Sequence, residues 1–323
     1  MIIVRQDDSV SFSLELEQFF GKINASPASD ARAARTEIYT SCYHWLISPF
    51  HMDSQTTYRL GFIGAGKLAG SVIRGLMRAG FCSPTEIIAS EPNEQVRGKL
   101  REEVGINLTT ENAEIAETAE LILIGVKPGV VLPVLRSVAA RLQNKPVISL
   151  AAGVRITAME PIAGARFMLA MTNTPSAICR AATALVRGSR TTNEDVDLAR
   201  KIFSAIGVVV EVDEKQIDAV TALAGSGPAF VYTVIEALAE GGKKMGLAPD
   251  AALTLATQTV LGAAQLASES KLSPEELRKM VVTPGGTTAA GLAAMNRLKT
   301  AEGLIAAVEA ATKRGQEMAK ENL

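Results

Sequence analysis

Histidine is nearly missing from this 323-residue chain: His44 and His51 are its two, and none follows position 51. The body of the protein therefore builds no Ser-His-Asp arrangement, no histidine metal site and no imidazole acid or base. Cysteine is scarce too. Cys42, Cys82 and Cys179 lack metal-site spacing and cannot all pair, which argues against a disulfide framework and fits a reducing cytoplasm or organelle interior, the cytoplasmic setting being the one expected here. Neither sign of charge prevails, with 33 Lys and Arg against 34 Asp and Glu. Composition thus provides no attraction to nucleic acid or to an anionic membrane surface. No apolar run approaches the ~20 residues that span a bilayer.

Aromatic residues are few and unevenly placed. Of nine Phe, four Tyr and one Trp, eight lie at or before Tyr58. Residues 1–57 differ in composition from all that follows and are expected to form a poorly ordered N-terminal extension. Asp7, Asp8, Glu15 and Glu17 argue against a transit peptide. Met52, just before the first strand pattern, is a plausible alternative start.

From residue 58 the chain alternates strand and helix. The stretch "RLGFIGAGKLAGSVIRGLMRAG" (59–80) joins a buried apolar run to a helix whose Leu68, Val72, Ile73, Leu76 and Met77 share one face. Between them stands G-x-G-x-x-A. Gly64 makes the turn, Gly66 lets backbone approach a pyrophosphate, and Ala69 permits close helix–strand packing. On its own this is also how an ordinary strand–helix turn reads. Further strands are predicted at 85–93, 119–129, 146–153, 166–175, 182–188 and 208–213, with helices at 94–104, 130–142 and about 193–206. "INLTTEN" (106–112) reads as a connection. The alternation predicts an α/β fold with a doubly wound, mainly parallel sheet over 58–214. Beyond it, 215–323 is Ala- and Leu-rich helix that is apolar on more than one face, the pattern of a helical dimer interface.

Several residues fall where chemistry would need them. Glu91 stands about 20 residues past the glycines, where a carboxylate meets the adenosine ribose and repels a 2′-phosphate; Ser90, Asn93 and Arg97 beside it leave a phosphate open. Lys127 and Pro128 end the strand of "GVKPG" at the crevice. In "TPGGTTAAGL" (283–292), Gly285 and Gly286 free the backbone, and Thr287 and Thr288 open a helix whose N–H groups suit a small carboxylate. A site rich in Thr, Ser and Asn but free of His suits reduction of C=N, because a protonated imine brings its own positive charge. Lys127 or Lys243 could still serve a carbonyl, so a β-hydroxyacid reductase stays open, as does a non-catalytic dinucleotide-sensing dimer.

The motifs "GFIGAGKLA", "GVKP", "SLAAGV", "MTNTP", "IDAVTALAGSGPAF", "ALAEGGKKMGL" and "TPGGTTAAGL" occur in the order and spacing of one family. From about 59 to 320 the chain resembles pyrroline-5-carboxylate reductase. The resemblance implies a Rossmann domain followed by an all-α dimerisation domain, and homodimers that also form rings of dimers. It implies NADPH or NADH as hydride donor and a small cyclic imino acid as substrate, the last step of proline synthesis. By position, Ile63, Gly64, Ala65, Gly66, Lys67 and Leu68 resemble the pyrophosphate loop. Glu91, Asn93 and Asn112 resemble ribose contacts, and Val126, Lys127, Pro128 and Ala152 contacts along the cofactor. Asn173 and Thr174 lie in the loop by the nicotinamide. Gly285, Gly286, Thr287 and Thr288 resemble the substrate site, with Thr288 nearest the chemistry. The family commonly has Arg where Leu169 stands, and Glu91 replaces a small hydroxyl residue found in some members.

Deleting residues 1–51 is expected to leave melting temperature and turnover nearly unchanged, since their composition does not match the fold. A large loss of either would mean that those aromatics pack on the core or on an interface.

Overall fold

In the computed structural model, which describes residues 58–322, the first apolar run becomes β1 (Tyr58–Ile63), buried from Leu60 onward. The extension expected over 1–57 lies outside the described residues. Around β1 stand β2 (Ile87–Ser90), β3 (Asn107–Thr109), β4 (Ala119–Ile124), β5 (Pro146–Ser149), β6 (Arg166–Met171), β7 (Ala181–Arg187) and β8 (Gly207–Glu211). They form one sheet in the order β3-β2-β1-β4-β5-β6-β7-β8. Strands β1 to β6 are parallel, β7 is antiparallel to β6, and β8 is parallel to β7. The chain winds from the centre to one edge and returns to add β4 beside β1. That reversal opens a crevice at the carboxyl ends of β1 and β4, the place where doubly wound sheets bind ligands.

Side-chain alternation along β1 assigns each helix to a face. Leu60 and Phe62 pack with Val72, Ile73 and Leu76 of α1 (Lys67–Arg78) and with Ile202 and Phe203 of α6 (Asn193–Ser204). Ile63 points the other way, towards Ile115 of α3 (Asn112–Thr118) and Val131 and Leu135 of α4 (Pro128–Val138). Val72, Ile73 and Leu76 are fully buried, each worth about 1.5–3 kcal/mol of apolar transfer. Helix α2 (Glu94–Val104) follows β2, and the single turn α5 (Ile156–Met159) follows β5. Leu169, where the family commonly has Arg, is buried in the sheet opposite Val186.

Several expected boundaries move, three of them with a clear local cause or consequence. "INLTTEN" is not a plain connection: it holds β3 and the first residue of α3, an edge strand too short and too polar for its period to show. The strand expected over 119–129 stops at Ile124 because Pro128 already begins α4. The one expected over 146–153 stops at Ser149.

After β8 come α7 (Ile217–Val220), a π-helical turn (Thr221–Gly225), α8 (Gly227–Lys244), α9 (Pro249–Glu269), α10 (Pro274–Met280), α11 (Thr287–Arg297) and α12 (Thr300–Glu321). From α8 onward the buried apolar residues are Ala239, Ala252, Ala256 and Ala319, whereas Leu223, Met280 and Leu298 are each about 70% exposed (68%, 69% and 74%). Methyl groups alone cannot hold such a layer together, and a patch of this kind marks an interface. The stretch Glu214–Lys244 is by length and composition apolar enough to cross a bilayer, contrary to the expectation from run lengths. Helix α12 returns to the sheet, where Asn322 Nδ2 donates to Gly153 O at 3.2 Å.

At the amino ends of the strands, Arg166 of β6 donates Nε to Asp195 Oδ2 at 2.6 Å and Nη2 to Oδ1 at 2.8 Å. Asp195 also closes a capping box with Thr192 at the start of α6. Burial raises the Asp195 carboxyl, but the bonds from Arg166 and Thr192 outweigh it and hold the pKa below the usual carboxylate range. A lowered folded pKa contributes stability above the unfolded value near 3.9, and that stability is lost as pH falls through the folded value. Arg166→Leu is therefore expected to cost about 2–3 kcal/mol at neutral pH and less below about pH 3. Urea unfolding across that range checks it. A loss independent of pH would assign the effect to packing instead of the ion pair.

Candidate active site

Gly64 ends β1 at φ +88°, and its amide donates to Ser90 O at 3.0 Å. A Cβ at Gly64 would lie 2.7 Å from Val126 Cγ1, so only glycine turns here while letting β4 exit. The third small position works as its spacing suggests: Ala69 is fully buried, and its methyl is 2.5 Å from where Gly125 would carry a Cβ. At Gly66, by contrast, a Cβ would meet nothing within 4 Å. Gly66 is the N-cap of α1, without a side-chain cap and with no acidic residue in the first turn. The free amides of that turn therefore point, with the positive end of the helix dipole, towards a cavity of about 780 Å³. These residues fit a dinucleotide pyrophosphate.

Gly64, Ala65, Gly66, Lys67, Glu91, Asn93, Val126, Lys127 and Thr174 line this cavity together, although they come from four separate stretches of chain. At one end the Glu91 carboxylate accepts from Ala65 N (3.3 Å) and Asn93 N (3.1 Å). Asn93 Oδ1 caps α2, accepting from Gln95 N and Val96 N. Ser90 is only 2% exposed and donates to Asn112 Oδ1 at 2.6 Å. Ser90 and Asn112 thus brace the loop from beneath.

Sequence reasoning missed Ser71, Arg74, Lys99 and Glu103, which also line the cavity. Lys67, Ser71 and Arg74 follow one another at four- and three-residue steps, a polar face of α1 that the same periodicity could have exposed. Three cations beside the cavity are paired: Arg74 bonds Glu103 at 2.6 Å, Lys99 lies 3.8 Å from Glu103, and Arg97 pairs with Glu94.

At the other end, Lys127 is the N-cap of α4 and Pro128 its first residue. Ile63 and Leu68 belong to the packed cores below the cavity. Ala152 is half-buried against the core that covers α4. Asn173 is only 8% exposed; its Nδ2 donates to Ala224 O at 3.0 Å and its Oδ1 accepts from Ala182 N at 3.2 Å.

The "TPGG" turn needs both glycines for itself. Gly285 has φ +69°, and a Cβ on Gly286 would lie 2.3 Å from Thr283 Oγ1. The double glycine, expected to mark a ligand, is thus already explained by the turn. Gly286 caps α11 with no side-chain bond, which leaves the amides of Thr287 and Thr288 free to take an anion. Helix α11 packs along α12, and neither threonine lines the cavity. One chain therefore does not bring the two halves of the expected site together.

Residues 214–318 match the family model described as pyrroline-5-carboxylate reductase dimerisation, and residues 59–153 one described as NADP oxidoreductase, coenzyme F420-dependent. A pyrroline-5-carboxylate reductase of Arabidopsis thaliana is 38% identical over 266 residues, covering 82% of this chain and 96% of its own. The solved pyrroline carboxylate reductase of Plasmodium falciparum, with NADP bound, superposes with a TM-score of 0.75 at 27% identity, over 82% of this chain and all (100%) of its own. That of Coxiella burnetii gives 0.74 at 34% identity, over 82% and 99%. The dimerisation match covers the helices whose leucines lie exposed, and the oxidoreductase match covers the crevice. With fold, site and relatives in agreement, the chain belongs to the pyrroline-5-carboxylate reductase family.

Proposed function

We propose that this chain reduces 1-pyrroline-5-carboxylate to L-proline with NADPH or NADH, the last step of proline synthesis. The observation that carries the reading is the open, uncapped start of α1 at the β1/β4 crevice, joined to helices of the matching dimerisation type. The nicotinamide supplies a hydride from its C4 and is oxidised. The hydride adds to the imine carbon, the C=N π pair moves to nitrogen, and the proton already on the iminium remains as N–H. The chain's own work is to orient the two partners and keep water out. The amides of Gly66 to Leu68 hold the pyrophosphate, and Lys127 and Thr174 border the nicotinamide end. The amides of Thr287 and Thr288 hold the substrate carboxylate, while Thr288 Oγ1 meets the ring nitrogen.

Because the threonine turn and the crevice lie apart in one chain, the turn comes from a second copy. The exposed leucines of the helical half become the dimer core, and rings of such dimers assemble from it. The same interface accounts for Glu214–Lys244 without a membrane. A chain with net charge −1 is suited to a cytoplasmic small-molecule enzyme without a nucleic-acid partner.

Cofactor choice is expected to rest on Glu91. Glu91→Gln keeps an acceptor for Ala65 N but removes the charge beside the 2′ position. It should raise kcat/KM for NADPH relative to NADH about five- to thirtyfold, or about 1–2 kcal/mol. An unchanged ratio would put the choice on Arg74, Arg97 and Lys99 instead.

Thr288→Ala and Thr288→Val should each lower kcat/KM for the imine about ten- to a hundredfold, the loss of one hydrogen bond to a charged partner, with dinucleotide affinity unchanged. Steady-state kinetics against both substrates measure this. Full activity in Thr288→Val would reduce Thr288 to part of a helix start.

A further inference from the structure

Between β6 and the helical half, one carbonyl has no partner of its own. In a continuous helix Ala224 O would accept from the amide four residues on, but that residue is Pro228 and carries no N–H. The helix adapts by widening: Ser226 N reaches back to Thr221 O at 2.8 Å, and Ala229 N turns to Ser226 O at 3.0 Å. Asn173 Nδ2 fills the gap, donating to Ala224 O at 3.0 Å. Its Oδ1 takes Ala182 N at 3.2 Å. A donor on one side and an acceptor on the other fix the orientation of the amide, so both ends of the side chain are committed.

This bridge spans 51 residues of sequence and sits between two clefts. Thr174 faces the dinucleotide crevice. Asn173 and Pro175 face a second, largely apolar cleft of about 700 Å³, bordered by Leu223 and Tyr232 of the helical half. The loop is therefore the wall between the cofactor side and the helices.

We propose that Asn173 is a positioning residue for hydride transfer: by tying loop 173–175 and β7 to the π-helical turn, it holds the nicotinamide wall and the helical half as one body. It acts through Ala224 and touches no reacting atom. The proposal rests on the reductase reading above, and wild-type turnover of pyrroline-5-carboxylate tests that reading separately.

The test is a cycle of Asn173→Ala, Pro228→Ala and the double variant, read as kcat, dinucleotide KM and melting temperature. Asn173→Ala is expected to lower kcat about ten- to a hundredfold with dinucleotide KM held within about twofold. Adding Pro228→Ala gives Ala224 O an amide within its own helix. The double variant should then recover melting temperature but not kcat, because the carbonyl is satisfied while the bridge stays broken. Should Asn173→Ala not fold, Asn173→Asp keeps the bond to Ala182, loses the donor, and is expected to show the same kcat loss. Recovery of kcat in the double variant would overturn the proposal, leaving Asn173 as a filler of one orphaned carbonyl. A rise in dinucleotide KM at constant kcat would also overturn it, making Asn173 a cofactor contact. So would an unchanged kcat.

Discussion

Gly125 N donates to Ile63 O at 2.8 Å, and one residue further along β1 the two backbones come so close that a Cβ on Gly125 would stand 2.7 Å from Gly64 O. Everything at the crevice depends on this approach. It lets Ala69 seat α1 directly over the strand ends, which aims the first amides of the helix at the cavity. It also fixes where Glu91 can stand, because β2 is held beside β1 by Gly64 N and Ser90 O. A methyl group at Gly125 would strike Ala69 and push α1 off the sheet, and one at Gly64 would strike Val126 and force β4 away, even though neither glycine offers a side chain for binding.

The helical half obeys a different constraint. Ala224 O apart, its helix interiors satisfy their own backbones, so little in hydrogen bonding obliges them to fold back on the sheet. Their apolar side chains are left in water by one chain, with alanines alone at the few closed contacts. A stable arrangement therefore needs a second surface of the same kind, which an identical copy supplies. Where one chain does meet itself, Ile217 and Val220 of α7 pack on the core of the sheet, and polar bonds fix the join: Arg155 with Asp218, Glu214 Oε1 accepting from Ile156 N at 2.6 Å, and Asn173 with Ala224 O. Such bonds set a position without supplying much net stability.

How far each feature could be read in advance follows from the range of the forces behind it. β1, the turn at Gly64 and α1 were legible because apolar period and small residues act within a few positions. β3 was not, since three edge residues, two of them polar, take their conformation from β2. The cavity lining by Arg74 and Lys99 arises only when α1 and α2 meet over the sheet. The missing amide at Pro228 was visible in the sequence, so an unpaired carbonyl at Ala224 could have been inferred. That Asn173 would fill it could not, because the contact exists only once β6 and the helical half are assembled. The "TPGG" turn was legible as a helix start, and its glycines also answer a local steric demand that the sequence did not show.

The half-buried ionisable groups that the fold perturbs lie at one end of the sheet. Burial pushes the Cys82 thiol up to about 11 and raises the Glu120 carboxyl against the pull of Arg59. Burial also lowers the Lys145 ammonium, which donates to the carbonyls of Ala116, Glu117 and Ala119 at the end of α3. Arg59, Glu120 and Arg166 are the first or second residues of β1, β4 and β6, and Lys145 stands just ahead of β5. Cys82 lies in the loop before β2, and Asp195 joins them from the start of α6, all by the amino ends of the strands. Tuned groups often mark active sites, yet here they brace the edge opposite the crevice. This separation suits the proposed chemistry. A reaction whose substrate arrives protonated asks the carboxyl edge of the sheet for amides, hydroxyls and a fixed geometry, and leaves charge regulation to the edge that holds the fold together.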